Sequence, residues 1–343
     1  MRKLAKTLCF IYAIFFAVNI HASAISTEKN YLFAAQKNKI IAFADELAAK
    51  YKFDRKYLIA LFKSVKIRIA VIKNIEHPFE SMPWYLYKKN FLTESKINNG
   101  VAFYQKYYAP LKRAEKIYGV PASIIVAIIG IESDYGKEQG KYEVLEALSN
   151  LAFMYKPREK FFQSELKEFL LLCREKKIDP KSVYGSYAGA IGQAQFMPSS
   201  FRMYAVKFGD DHKSIDLSAN TYDVIGSIAN YFNKNGWEKD GLIAKYAILE
   251  KAKEKSLPPI KYKPEYHLQE LMKNGLVPKN FKKENLPCMY MQLENALHKL
   301  EYWIGFKNFY VITRYNTSTL YAMTAFRLSE EINKLASIKK PLV

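Results

Sequence analysis

The sequence is poor in cysteine, poor in acidic residues, and lacks the short motifs that mark several large enzyme classes. Only three cysteines occur in 343 residues. Cys9 lies near the N-terminus, and the other two, Cys173 and Cys288, are too few for a disulfide framework. No CxxC pair or His/Cys cluster is present to hold zinc. No GxGxxG follows a strand-like run, and there is no P-loop, HExxH or GxSxG, so nucleotide, zinc-protease and serine-hydrolase chemistry lack their signatures. No internal repeat or low-complexity tract occurs. Acidic residues number 33 against 53 Lys and Arg, a formal net charge of +20. That excess points to a polyanionic partner or surrounding, although the Lys-, Ile-, Tyr- and Asn-rich usage of a biased genome gives the same sign. At 50% hydrophobic and 15% aromatic residues, the chain is neither disordered nor fibrous. Its length predicts two or three domains.

The one long apolar run is at the N-terminus. Arg2, Lys3 and Lys6 precede Leu8 to Ile20, followed by Ala22-Ser23-Ala24. A basic segment, a short apolar segment and an A-x-A site predict a secretory signal peptide over residues 1–24, cut after Ala24. The run is shorter than the about 20 residues that span a bilayer; an uncleaved signal anchor is the competing reading. No cysteine follows the run, so no lipid anchor is expected. Export places intracellular nucleic acid out of reach.

The remaining chain divides by texture. Residues 25–100 read as an N-terminal helical lobe, with Asp54 as an N-cap before the apolar run from Tyr57 to Phe62, and with His77-Pro78 and Met82-Pro83 breaking the region before Trp84, Tyr85 and Tyr87. Residues 101–241 show helical periodicity with glycine-rich punctuation. Residues 242–301, with Pro258-Pro259, Pro264, Pro278 and Pro287, predict a small inserted lobe of mixed or β character. Residues 302–343 return to aromatic and apolar text, with a helix around 320–335 that packs back on the centre. Cys173, within Leu170-Leu171-Leu172-Cys173, reads as a buried helical residue; a single Cys173–Cys288 bridge remains open.

Two segments carry candidate chemistry. In Val120 to Gly136, Pro121 suits a helix start and Gly136 a C-terminal cap, so the helix is expected to end near Tyr135. Helical spacing stacks Glu132 on Ile125, Ile128 and Ile129. A carboxyl against an apolar face is costly to ionise and can hold a proton near neutral pH, the requirement for a general acid at a glycosidic oxygen. A solvent-facing or lysine-paired glutamate fits the same spacing, and Asp134 is a weaker candidate. The second segment, Gly185 to Ser200, is rich in Gly and Ala, and Ser186, Gln193 and Gln195 offer neutral donors and acceptors suited to sugar hydroxyl and acetamido groups. A close helix contact made of small residues fits it equally.

Together, Val120–Gly136, Leu145-Glu146-Ala147-Leu148, Gly185–Ser200, Ile225 to Phe232 with Asn235-Gly236-Trp237, and Ile312-Thr313-Arg314-Tyr315-Asn316 resemble the membrane-bound lytic transglycosylase B family of bacterial murein-cleaving enzymes. The likeness covers roughly residues 80–325. It implies a mainly α (α+β) protein with a lysozyme-like helical catalytic core formed by residues 101–241 and 302–343. It also implies non-hydrolytic cleavage of peptidoglycan glycan strands. By the resemblance, Glu132 is the catalytic acid and then base. Ser186 and Asn316 would hold the sugar at the cleavage point, and Gln195, Tyr231, Tyr315, Tyr87 and Arg158 would line the glycan groove. A hydrolytic muramidase and a catalytically silent murein-binding scaffold are the competing functions. The sequence departs from the family pattern near Tyr155-Lys156-Pro157-Arg158, where one arginine stands instead of two, and at Phe161, where a tyrosine can occur. Family members can carry an EF-hand-like calcium loop before the Ile225 helix. Here Lys207 to Asp216 lacks the alternating Asp ligands and the loop glycine, so neither a metal nor a cofactor is expected. The expected partner is peptidoglycan, without nucleic acid or a stable membrane anchor, in a soluble periplasmic protein; the resemblance leaves room for other cell-wall enzymes as partners.

Overall fold

The computed structural model describes residues 31–76, 82–209, 214–281 and 284–338. The proposed signal peptide, His77-Pro78 and Asp210-Asp211 lie outside the described residues. The protein is mainly helical, with one five-stranded sheet set into the C-terminal half.

Four helices open the described chain: α1 (Leu32–Ala35), α2 (Lys37–Tyr51), α3 (Arg55–Lys63) and α4 (Ile69–Glu76). Asp54 caps α3 as its sequence position predicts, accepting from the backbone N–H of Lys56 at 2.7 Å and of Tyr57 at 3.4 Å, which satisfies two donors that have no partner within the helix. There follow α5 (Trp84–Tyr87), α6 (Glu94–Lys106), α7 (Tyr108–Tyr118), α8 (Ala122–Ser133), α9 (Val144–Met154), α10 (Glu159–Lys176), α11 (Pro198–Tyr204) and α12 (Thr221–Lys234). A two-residue pair, β1 (Tyr142–Glu143) with β2 (Tyr184–Gly185), ties the start of α9 to the glycine-rich loop.

The centre of the molecule is α8. Every residue from Ala122 to Gly130 is buried, so the helix is apolar on all sides, as a helix enclosed by others must be. It packs on α6, α7, α12 and the C-terminal helix α15 (Thr319–Ile338). Each enclosed isoleucine contributes about 1.5–3 kcal/mol of burial. One apolar cluster runs from Leu32 through α8 to Ile332, so the N-terminal helices share the central core. The boundary expected at residue 100 falls inside α6.

The sheet comprises β3 (Ala244–Leu249), β4 (Tyr266–His267), β5 (Leu276–Pro278), β6 (Pro287–Ala296) and β7 (Lys299–Gly305), antiparallel in the order β4-β6-β7-β3-β5. The short helix α13 (Leu268–Lys273) follows β4, and α14 (Lys307–Tyr315) links β7 to α15. Alternation along β6 gives the sheet two apolar faces. Met289, Met291 and Leu293 join the main core, whereas Cys288 and Tyr290 close a smaller core with Leu271, Leu276, Ile304 and Phe306. The strand-like reading of Cys288–Met291 corresponds to β6; β7 runs past residue 301, so that expected edge of the insert cuts a strand.

Cys173 and Cys288 are free thiols. The bridge left open by the sequence does not form, because Cys173 belongs to the main core and Cys288 to the smaller one. Burial pushes each thiol up to about 12. Among the described residues no single helix is long and apolar enough to cross a membrane.

Candidate active site

Glu132 sits one residue before the C-terminal end of α8. The helix stops at Ser133, two residues short of the expected end, because Asp134, Tyr135 and Gly136 all take positive φ, at 46°, 61° and 89°. Only glycine adopts that region freely; the two non-glycine residues are held by their side chains. Asp134 pairs with Lys96 at 3.0 Å and Lys137 at 3.4 Å, and the Tyr135 hydroxyl donates to the Lys96 carbonyl at 2.7 Å. Burial opposes ionisation of Asp134, but the two ammonium groups outweigh it and hold its carboxyl below the usual range. The weaker acid candidate is thus a structural ion-pair partner.

The turn presses on the glycine-rich loop. A side chain at Gly140 would place its Cβ 2.1 Å from the backbone of Gly185 and 2.5 Å from the Ser186 nitrogen, a close approach open to glycine alone. The Gln195 side-chain amide donates to the carbonyls of Gln139 at 3.1 Å and Gly192 at 2.8 Å. Bridges Gly185↔Ile191 and Ile191↔Phe196 fold the loop upon itself. The Ser186 hydroxyl oxygen accepts from Ala188 and Ala190 N–H at 3.2 and 3.0 Å; its own proton is free to be donated elsewhere.

The third side is aromatic. Tyr321, on α15, donates its hydroxyl to Glu132 Oε1 at 2.5 Å. Tyr315 stacks on Tyr321 with ring centroids 6.4 Å apart and planes 7° from parallel, and its hydroxyl donates to the Ala194 carbonyl at 2.5 Å. Tyr231, on α12, meets Tyr315 at 4.9 Å and donates to the Arg314 carbonyl at 2.5 Å. Burial, then the Glu132 charge, push the phenols of Tyr315 and Tyr321 well above the ordinary tyrosine value, so both remain donors at any physiological pH. Tyr87 is buried against Phe91, in the same core cluster as Tyr321. Asn316 follows Tyr315 at the end of α14, with its side-chain oxygen accepting from Ser318 N–H at 3.1 Å.

The structure therefore gathers Glu132, Tyr315, Tyr231 and Tyr87 into one cluster, with Gln195 and Asn316 beside it and the Ser186 loop packed on the turn after α8. Arg158 is held differently, with its guanidinium 4.1 Å from the Phe161 ring and 5.4 Å from that of Phe162. Tyr321 was not singled out by the sequence. No helical or strand spacing links positions 189 residues apart; the one signal was a tyrosine in the apolar text of the last helix.

The segment before α12 is organised around Asp223, which is fully buried. Its carboxylate accepts from the backbone N–H of Phe208, Gly209 and Asp216 at 2.8, 3.0 and 3.1 Å, and Lys207 Nζ lies 3.3 Å away. Those donors engage both oxygens of the Asp223 carboxylate. Among the described residues no group of three His, Cys, Asp or Glu side chains is placed to hold a metal.

Comparison with known proteins gives a consistent result. The transglycosylase SLT domain family matches residues 35–330. Membrane-bound lytic murein transglycosylase B of Escherichia coli (strain K12) is 37% identical over 301 residues, which cover 84% of this chain and 81% of that protein. The crystal structure of soluble lytic transglycosylase SltB1 from Pseudomonas aeruginosa is 40% identical, with a TM-score of 0.80 over 87% of this chain and 99% of that one. The Escherichia coli lytic transglycosylase Slt35, solved in complex with calcium, is 37% identical, with a TM-score of 0.81 over 90% of this chain and 96% of that one. An acid at the end of an enclosed apolar helix, faced by stacked tyrosines and a glycine-rich loop, is thus set in a chain that belongs to the transglycosylase SLT family of lytic transglycosylases.

Proposed function

We propose that this lytic transglycosylase cuts the β-1,4 bond between N-acetylmuramic acid and N-acetylglucosamine in peptidoglycan, with Glu132 serving as acid and then as base. In the first step Glu132 gives its proton to the glycosidic oxygen, which leaves with the bonding electron pair. The muramoyl acetamido oxygen takes the positive charge developing at C1. In the second, the muramoyl 6-hydroxyl attacks C1, the acetamido group is released, and the hydroxyl proton returns to Glu132. The product is a 1,6-anhydromuramoyl end, no water is consumed, and the carboxyl is regenerated.

The observation that carries this reading is the Glu132 carboxyl at the end of an enclosed apolar helix, held by the Tyr321 hydroxyl. Glycoside hydrolases of the two-carboxylate kind need a partner at about 5–5.5 Å for retention or 6.5–9.5 Å for inversion, and Asp134, the acid nearest in sequence, is committed to Lys96 and Lys137. The Tyr321 hydroxyl holds the carboxyl in place and stabilises it once its proton is given up. Ser186 and Asn316 flank the position of the reacting sugar. Gln195, Tyr315, Arg158 and the buried rings of Tyr231 and Tyr87 line the glycan groove. We also propose that residues 1–24 are a cleaved signal peptide and that the protein acts in the periplasm without a lipid anchor.

Purified sacculi digested with the enzyme should release anhydro-terminated muropeptides by mass spectrometry. Glu132→Gln should lower their yield by about 10²–10⁴-fold, the usual weight of general acid–base catalysis, while sacculus binding and thermal unfolding stay as in the parent. Products with reducing ends would make the enzyme a hydrolase; a cell-wall effect undiminished in Glu132→Gln would make it a scaffold.

A further inference from the structure

Beside the α5–α15 side of the catalytic cluster lies an open cavity of about 670 Å³, bounded by α5, the β6–β7 hairpin, β3 and α15. Its floor is aromatic. The indole N–H groups of Trp84 and Trp303 both donate to Glu301 Oε1, at 2.9 and 3.2 Å, and Tyr246, 41% exposed, sets its ring against Trp303 at 5.5 Å. Its rim is cationic, formed by Lys88, Lys89, Lys279 and Arg327. Lys88 and Arg327 lie over the Trp84 and Trp303 rings at 5.8 and 5.6 Å, while Lys89 and Lys279 are exposed. Glu301, the one carboxylate lining the cavity, is turned to the two indoles. Arg327 also pairs with Glu330 at 2.7 Å and Lys88 donates to the Asn295 side-chain oxygen, so the cavity offers the exposed Lys89 and Lys279, two partly engaged cations and an apolar floor.

Two elements join this cavity to Glu132. Helix α5 carries Trp84 at one end and Tyr87, which shares the core cluster of Tyr321, at the other. Along α15, Arg327 follows Tyr321 by six residues, a rise of about 9 Å. A peptide of four or five residues hanging from a muramoyl unit at the cleavage point extends about 13–18 Å, which reaches the rim.

We propose that this cavity binds the carboxylate-bearing stem peptide of the peptidoglycan strand. The inference rests on the activity proposed above. Charge complementarity carries it. Stem peptides present free carboxyl groups on a short, partly apolar backbone, and here lysines and an arginine surround an aromatic floor. The site is separate from the groove that takes the sugars, and it makes this enzyme read the peptide as well as the glycan.

The cavity supplies its own reporter, because Trp84 and Trp303 are two of three tryptophans in the chain. The third, Trp237, donates to the Gly119 carbonyl elsewhere. A synthetic murein stem tetrapeptide with free carboxyl groups, titrated into the Glu132→Gln chain, should change tryptophan fluorescence saturably. The fully amidated peptide should not, and Lys89→Glu with Lys279→Glu should weaken binding at least tenfold with thermal unfolding unchanged. These two lysines are exposed, so their replacement leaves the core intact. No response, an equal response to the amidated peptide, or less than twofold weakening in the double variant overturns the proposal. A poly-glutamate peptide binding more tightly than the stem peptide would also overturn it, by making an acidic protein segment the better occupant. Peptide binding is read without turnover, so a failure here is distinct from a failure to form anhydro products.

Discussion

At the scale of single residues, the site turns on the hydrogen bond from Tyr321 to Glu132. A donor to the ionised carboxylate stabilises it, and a hydrogen bond to a charged group is worth about 1.5–3 kcal/mol. Tyr321→Phe removes that donor with little change of shape. Cleavage of sacculi should fall by about one to two orders of magnitude, and the alkaline limb of the activity–pH profile should move to higher pH, since the protonated acid persists longer. A rate lost at every pH without movement of that limb would make Tyr321 a packing residue only. The contrast between Glu132 and Tyr321 shows what a sequence discloses. Glu132 is visible because its neighbours lie three and four positions away on the same helix. Tyr321 approaches from a separate helix, and nothing local marks its partner.

At the scale of elements, the loop before α12 shows how a buried charge can organise backbone. Burial opposes ionisation of Asp223, but three backbone N–H groups and Lys207 outweigh it and hold its carboxyl below the usual range. A carboxyl with a depressed folded pKa stabilises fully above its unfolded value, about pH 4, and that stabilisation is lost as pH falls through the folded value. The midpoint of thermal unfolding should therefore drop as the pH falls below about 4. Asp223→Asn should unfold at a lower temperature than the parent at pH 7, because the N–H groups of Phe208, Gly209 and Asp216 lose a charged acceptor, and should vary less over the acid range. An unchanged slope in the variant would assign the acid sensitivity to other carboxyls, Asp134 among them.

The elements themselves were legible to different degrees. Helix α8 and the Asp54 cap are written in local periodicity and capping chemistry. The end of α8 was misplaced by two residues because Asp134 and Tyr135 adopt left-handed backbone that their ties to Lys96 and Lys137 and to the Lys96 carbonyl hold in place. The sheet was visible as a change of composition, but its edge at Gly305 depends on pairing of β7 with β3 and β6, which no single strand specifies.

At the scale of the whole molecule, the net charge of +20, lowered by three if residues 1–24 are removed as proposed, meets a substrate that presents carboxylates in a dense array. Individually weak contacts screened over about 10 Å at 0.1 M salt add up over many sites. Pelleting of the Glu132→Gln protein with purified sacculi should fall steeply between 50 and 500 mM salt, and chemical amidation of the sacculi should have the same effect at low salt. Retention that ignores both would place the affinity in sugar contacts alone.

The distance along the chain between Glu132 and Tyr321 has a consequence for the order in which the enzyme becomes active. Residues are made from the N-terminus, so the acid emerges long before the phenol that steadies it, and Tyr315 and Asn316 emerge late as well. A chain cleaved or stalled before α15 contains the reactive carboxyl yet lacks its donor, Tyr321, and the helix that packs on α8 and closes the main core. Degradation from the C-terminal end would therefore silence the enzyme first and dismantle it afterwards. Completion of synthesis is in that sense the switch that arms it.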